Sequence, residues 1–229
     1  MNACVLCLTL LGCSQNAPST SAASAKPSED STGLPVKVSG KWGYVNGSGQ
    51  LVINPQFDNA EEFHEGRASV CLGKPCTWWE SPGDSLWGYI DTSGKVIVTP
   101  QYASAPSFSE GLASVCKGDD CSGPDTKTSS RGYIDRDGKL VIPLQFGIAA
   151  DFSEGLAEVC IGTCQWEKDS GYSGKFGFIE HTGHFVINPQ YDYVGDFKGG
   201  FAKVTVGKGN DEKVGYIDKT GKTIWQPSN

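Results

Sequence analysis

Nine cysteines are the residues of this chain best suited to covalent chemistry. Cys4, Cys7 and Cys13 lie near the N-terminus, and six more stand in close pairs: Cys71 with Cys76, Cys116 with Cys121, Cys160 with Cys164. A metal is disfavoured, because four, four and three intervening residues are not the two-residue knuckle and no histidine stands nearby in sequence. Disulfides suit the spacing better. The pairs follow ASV, ASV and AEV in like surroundings, and the corresponding stretch KVTVGKGN lacks both cysteines, so the pairing is expected within each pair. A bridge over so short a loop contributes about 2 kcal/mol by chain entropy, which suggests loop staples rather than supports of the fold. Such bridges also require an oxidising compartment.

The next chemically interesting residues are aromatic. The loops after the first cysteine of each pair differ: CTWWESPGDSL, CSGPDTKTSS and CQWEKDSGYSG. Trp78, Trp79, Trp166 and Tyr172 in them form a candidate binding surface, since rigid amphipathic rings give contact area at low entropic cost. Glu80, Asp84, Asp119, Asp120, Asp125, Glu167 and Asp169 make it acidic. Other groups invite chemistry and are read as structural. Asp135, Asp137 and Gly138 suggest a calcium loop, yet equivalent segments read NGSG, DTSG, EHTG and DKTG, which is hairpin-turn composition. Glu65, Glu110 and Glu154 recur in one turn and are expected to be solvated or capping, and His64, His181 and His184 are expected at the surface. No catalytic residue, cofactor or metal site is assigned. The segments lack a phosphate-cradling loop, a nucleophile elbow and a metalloprotease histidine pair.

These residues sit on a repeat. WGYVN, WGYID, RGYID, FGFIE and VGYID place glycine at 43, 88, 132, 177 and 215. Each copy continues through a turn such as DTSGK, a β-rich run such as LVINPQF, and then, in four copies, a segment such as FSEGLASV. The pattern predicts at least three strands per copy, with Trp42 and Tyr44 on one face and Gly43 and Val45 on the other. Pro55, Pro100, Pro143 and Pro189 are expected to end the second strand, because proline donates nothing to a ladder. Pro35 to Val38 aligns with Ala202 to Thr205, and the last copy lacks a third strand. That complementarity favours a propeller-like closed ring, with an open solenoid of β-hairpins as the alternative.

The five copies resemble the WG-repeat family of bacterial proteins over residues 41–225, although Arg131, Phe176 and Val214 replace the tryptophan. The resemblance implies an all-β domain of five tandem hairpin repeats, starting near 41, 86, 130, 175 and 213 within residues 34–229. It implies little about activity.

Ahead of the repeats, an apolar stretch ends in Leu10-Leu11-Gly12-Cys13 and gives way to SQNAPSTSAASAKPSEDSTG. This junction resembles the signal peptide of bacterial lipoproteins, which implies a signal segment over 1–12, a lipid on Cys13 and a flexible linker over 13–33. Ser14 in place of aspartate makes the outer membrane the favoured destination. A net charge of -7 and a pI near 5.0 argue against nucleic acid. No apolar stretch reaches the roughly 20 residues of a membrane helix, so membrane attachment is expected through the lipid alone. The expected function is non-enzymatic: a binding or scaffold module of the cell envelope that meets a protein or glycan partner. A glycan-cleaving hydrolase is the alternative, and it needs two carboxylates about 5 to 9 Å apart in a cleft.

Overall fold

The computed structural model describes residues 33–73, 76, 86–118, 121, 130–162, 164–167 and 171–228, except the side chains of 167, 227 and 228. The described residues are almost wholly strand, turn and loop, with one short 3-10 turn at Gly209–Asp211. The first antiparallel sheet contains β1 (Leu34–Val38), β2 (Lys41–Val45) and β3 (Leu51–Phe57). The second orders β4 (Asn59–Ala60), β5 (Arg67–Leu72), β6 (Leu86–Asp91) and β7 (Val96–Tyr102). In the third are β8 (Leu112–Lys117), β9 (Ser130–Asp135) and β10 (Leu140–Phe146). A fourth sheet takes β11 (Ile148–Ala149) and β12 (Ala157–Ile161), then skips the small hairpin of β13 (Trp166–Glu167) and β14 (Gly171–Tyr172). It continues with β15 (Lys175–Ile179) and β16 (Phe185–Tyr191). The fifth holds β17 (Tyr193–Val194), β18 (Phe201–Val206), β19 (Lys213–Asp218) and β20 (Thr223–Ser228).

Each sheet therefore joins the third strand of one copy to the hairpin of the next. β5 pairs β6, β8 pairs β9, β12 pairs β15 and β18 pairs β19. In the first sheet β1 fills the same place. Val36 faces Gly43 as Val204 faces Gly215, so Leu34 to Lys37 matches Ala202 to Thr205, one residue from the expected alignment.

The prolines do not end their strands. β3, β7, β10 and β16 run past Pro55, Pro100, Pro143 and Pro189. Trp42 pairs with Phe57 and Tyr44 with Ile53, so the segment Asn54 to Gln56 bulges out of the ladder. A bulged residue owes the ladder no N–H, and proline is tolerated there. The bulge carries the Ile53 carbonyl over Gly43, where a Cβ would lie 2.5 Å from that oxygen.

Burial lies between consecutive sheets. Tyr44, Ile53 and Phe57 of the first pack with Ala68, Val70 and Ile90 of the second, and each later pair repeats the arrangement. The Tyr44 ring meets Phe63 at 4.8 Å, Tyr89 meets Phe108 at 5.0 Å, Tyr133 meets Phe152 at 5.1 Å and Phe178 meets Phe197 at 4.7 Å. The buried hydroxyls find carbonyls, Tyr44 on Glu61 at 2.8 Å and Tyr133 on Ala150 at 2.6 Å. A second line of contacts ties the turns. The Gly111 N–H donates to Glu65 at 2.8 Å, Gly155 to Glu110 at 2.9 Å, and Gly200 to Glu154 at 2.9 Å. The recurrent glutamates cap the turn of the following copy. Asp135 is likewise spent within its turn, accepting from the Asp137 and Lys139 N–H groups at 3.0 and 2.9 Å.

Candidate functional site

Three disulfides join Cys71 to Cys76, Cys116 to Cys121 and Cys160 to Cys164. They are not peripheral staples. Cys71 and Cys76 pack with Trp87 and Tyr89, and Cys160 and Cys164 pack with Phe176 and Phe178, all buried. Gly174 passes so closely over the last bridge that a Cβ would lie 2.5 Å from the Cys160 Sγ.

That third bridge positions the aromatic site. Beyond Cys164 the chain forms the β13–β14 hairpin, in which Trp166 pairs with Tyr172 and their rings meet edge-on at 5.1 Å. Tyr172 continues the run, 5.2 Å from Phe176 and stacked at 6.3 Å on Tyr193. Phe176 is buried and anchors the run, whereas Trp166 is 55% exposed and Tyr193 46%. Together with Lys203, Lys208 and Glu212, the rings of Trp166, Tyr172 and Tyr193 line a cavity of about 560 Å³. Asp192 is spoken for, since it accepts from Lys175 at 2.6 Å and from the Gly207 N–H at 3.0 Å. Trp78, Trp79, Glu80, Asp84, Asp119, Asp120, Asp125 and Asp169 lie outside the described residues, as does the Glu167 side chain.

Tyr193 and Lys203 were missed from sequence, although a signal existed. Tyr193 stands where the other copies have Asn59, Ser104 and Ile148, and Lys203 where they have Ser69, Ser114 and Glu158. Both depart from the repeat within its strands and not in its variable loops.

A second group of titratable residues surrounds Glu158 on β12. Burial, and then the Asp196 carboxylate, raises Glu158 from its ordinary 4.5 to about 8. Among the described residues its Oε2 has no hydrogen-bond partner. Burial and then Asp196 also raise Asp151, with His64 acting in the opposite sense. A carboxyl whose folded value lies above its unfolded one contributes stability fully below the unfolded value, and this is lost as pH rises through about 8. Glu158→Gln is therefore expected to gain on the order of 3 kcal/mol at neutral pH and to flatten the stability profile between about pH 5 and pH 8. Urea titrations across that range check it; a variant with the wild-type slope would remove Glu158 as its source.

The histidines fill ordinary roles. His181 stacks on Phe152 at 4.2 Å and reaches Glu110 at 3.3 Å, and His184 is solvent-facing beside Glu180. Among the described residues no group of three or more His, Cys, Asp or Glu is arranged to hold a metal, and no helix is long and apolar enough to cross a membrane.

Interleaved hairpins, linked copy to copy by aromatic and glutamate contacts, define an all-β repeat protein. The sequence family described as WG containing repeat matches residues 42–74, 87–120, 132–162 and 176–209, more than half of the chain, and the chain belongs to that family. No protein of curated function matches the sequence. Among solved structures, tricorn protease is similar at 12% identity and a TM-score of 0.36, covering 83% of this chain and 21% of its own. A puromycin hydrolase variant is similar at 12% identity and a TM-score of 0.42, covering 82% and 33%. The chain thus spans a third or less of either, and neither likeness lends it an activity.

Proposed function

We propose that the protein is a non-enzymatic binding module of the bacterial cell envelope, tethered by a lipid on Cys13, whose aromatic cleft takes a glycan. The observation that carries this reading is the run of Trp166, Tyr172 and Tyr193 beside Lys203, Lys208 and Glu212 in one cavity. Sugar rings offer C–H faces to aromatic planes and hydroxyls to charged groups, and a cleft combining the two is built for them. The disulfide below the hairpin holds the rings in place before binding, which lowers the entropic cost. The exposed faces at both ends of the row of sheets favour an open stack over a closed ring.

Protein isolated from the membrane fraction and titrated calorimetrically with soluble oligosaccharides of N-acetylglucosamine and of glucose is expected to bind one of them. Trp166→Ala and Tyr172→Ala are each expected to lower that affinity about tenfold. The same material, weighed intact, is expected to carry a diacyl or triacyl group on Cys13. Undiminished binding by both variants would place the site elsewhere, and an unmodified Cys13 would end the tether.

One observation favours a second reading. Glu158, raised to about 8 by burial and then by the Asp196 carboxylate, is the kind of carboxyl that a glycan-cleaving hydrolase uses as its general acid. Release of reducing sugar by the wild type and its loss in Glu158→Gln would support that reading; no release from either would leave the binding module.

A further inference from the structure

Stacked repeats bury each face against a neighbour, and the last unit of such a stack usually ends on a polar surface. The fifth sheet does not. Tyr216 occupies the position of Tyr44, Tyr89, Tyr133 and Phe178, which are at most 1% exposed, yet Tyr216 is 45% exposed. Trp225, its register partner, replaces Ile53, Val98, Ile142 and Ile187; those four are at most 4% exposed and Trp225 is 62%. Phe201 stands where Leu112 and Leu156 are buried and is itself 51% exposed. With Lys203 and Ile224 these rings line a depression of about 530 Å³.

The first sheet presents the matching half. Leu34 takes the position of Ala68, Ala113, Ala157 and Ala202, which are at most 1% exposed, and is 59% exposed. Val45 stands where Ile90, Ile134, Ile179 and Ile217 are buried. In the later sheets the hairpin glycines at 94, 138, 183 and 221 lie over Ile53, Val98, Ile142 and Ile187 of the sheet before. A Cβ on the corresponding Gly49 would meet nothing within 4 Å among the described residues.

These two faces are the halves of an interface that the chain already makes four times. We propose that they meet between two copies: the Phe201, Tyr216 and Trp225 face of one chain docks on the Leu34 and Val45 face of a second, with the Gly49 turn over Trp225. A second copy is the occupant because its first sheet carries the apolar set in the register that the internal sheets use. The contact is head-to-tail, so each copy keeps one face for a further neighbour.

Sedimentation velocity on the full chain between about 1 and 100 µM is expected to show a mass that rises with concentration. Leu34→Glu and Trp225→Glu, both at exposed positions, are each expected to weaken association at least about tenfold. An equimolar mixture of the two retains one intact interface and is expected to form dimers and nothing larger. Phe201→Glu serves as the second end-face variant should Trp225→Glu lose the wild-type near-ultraviolet circular dichroism. A wild type that stays monomeric over the range, folded variants that still associate, or a mixture that does not dimerise would each overturn the proposal.

Discussion

Gly88→Ala is expected to cost roughly 4 kcal/mol, which lowers the melting temperature by roughly 10 °C for a chain of this size. The reason lies in the bulge shared by the hairpins. Trp87 pairs with Tyr102 and Tyr89 with Val98, so the strand opposite swells and folds its backbone over Gly88. A Cβ there would sit 2.7 Å from the Pro100 nitrogen and closer still to the Val98 carbonyl oxygen, inside the 3.0 Å that real Cβ atoms essentially never breach. Both obstacles are backbone. Relief requires moving the strand, and with it Val98, which is 4% exposed beneath the next sheet. Gly47→Ala is the control, because among the described residues a Cβ there meets nothing within 4 Å and its φ lies outside the left-handed region. It should change stability by less than about 0.5 kcal/mol. Denaturant melts of the two variants decide the matter; equal stabilities would mean that the hairpin yields more easily than its geometry implies.

Reduction of all three disulfides is expected to have the largest effect of any treatment. Each bridge spans a separation of five, five or four residues, and the chain-entropy estimate for so short a loop is about 2 kcal/mol. The three together approach 6 kcal/mol, a large part of the 5 to 15 kcal/mol that typically holds a domain folded. Packing adds to the loss, since Cys71 and Cys160 are fully buried against Trp87 and Phe176 and their thiols would have to be accommodated in the same space. Full reduction is expected to lower the melting temperature by roughly 15 °C. Melts with and without reductant, with thiol counting at each point, measure it. A fall of only a few degrees would return the bridges to the role of loop staples.

What the sequence revealed was local and recurrent. The copies, their hairpin turns and the cysteine pairs repeat at fixed places, and each depends on residues close together in the chain. Partnership between copies was harder to read. Nothing in FSEGLASV says that the strand it opens belongs to the next copy's sheet, because a strand's sequence records its faces and not its neighbours. The prolines misled for a related reason: their missing N–H matters only where the ladder asks for one, and the bulge removes that demand. The candidate cleft was half visible. Trp166 and Tyr172 stood out in a variable loop, whereas Tyr193 and Lys203 lay in strands whose pattern looked regular until the copies were compared position by position.

The interleaving of copies also bears on how such a chain can lengthen or shorten. A cut at each tryptophan-glycine motif would split every sheet, leaving a hairpin without the strand that pairs with it. A piece that can be duplicated or lost whole must instead begin at the short edge strand ahead of a third strand and end with the following hairpin, as from Asn59 to Tyr102. Recombination at the visible motif is thus out of phase with the physical unit. Only exchanges that respect the hidden boundary, just before β4, β11 and β17 and at the matching place ahead of Ser104 before β8, hand on a sheet that is already complete.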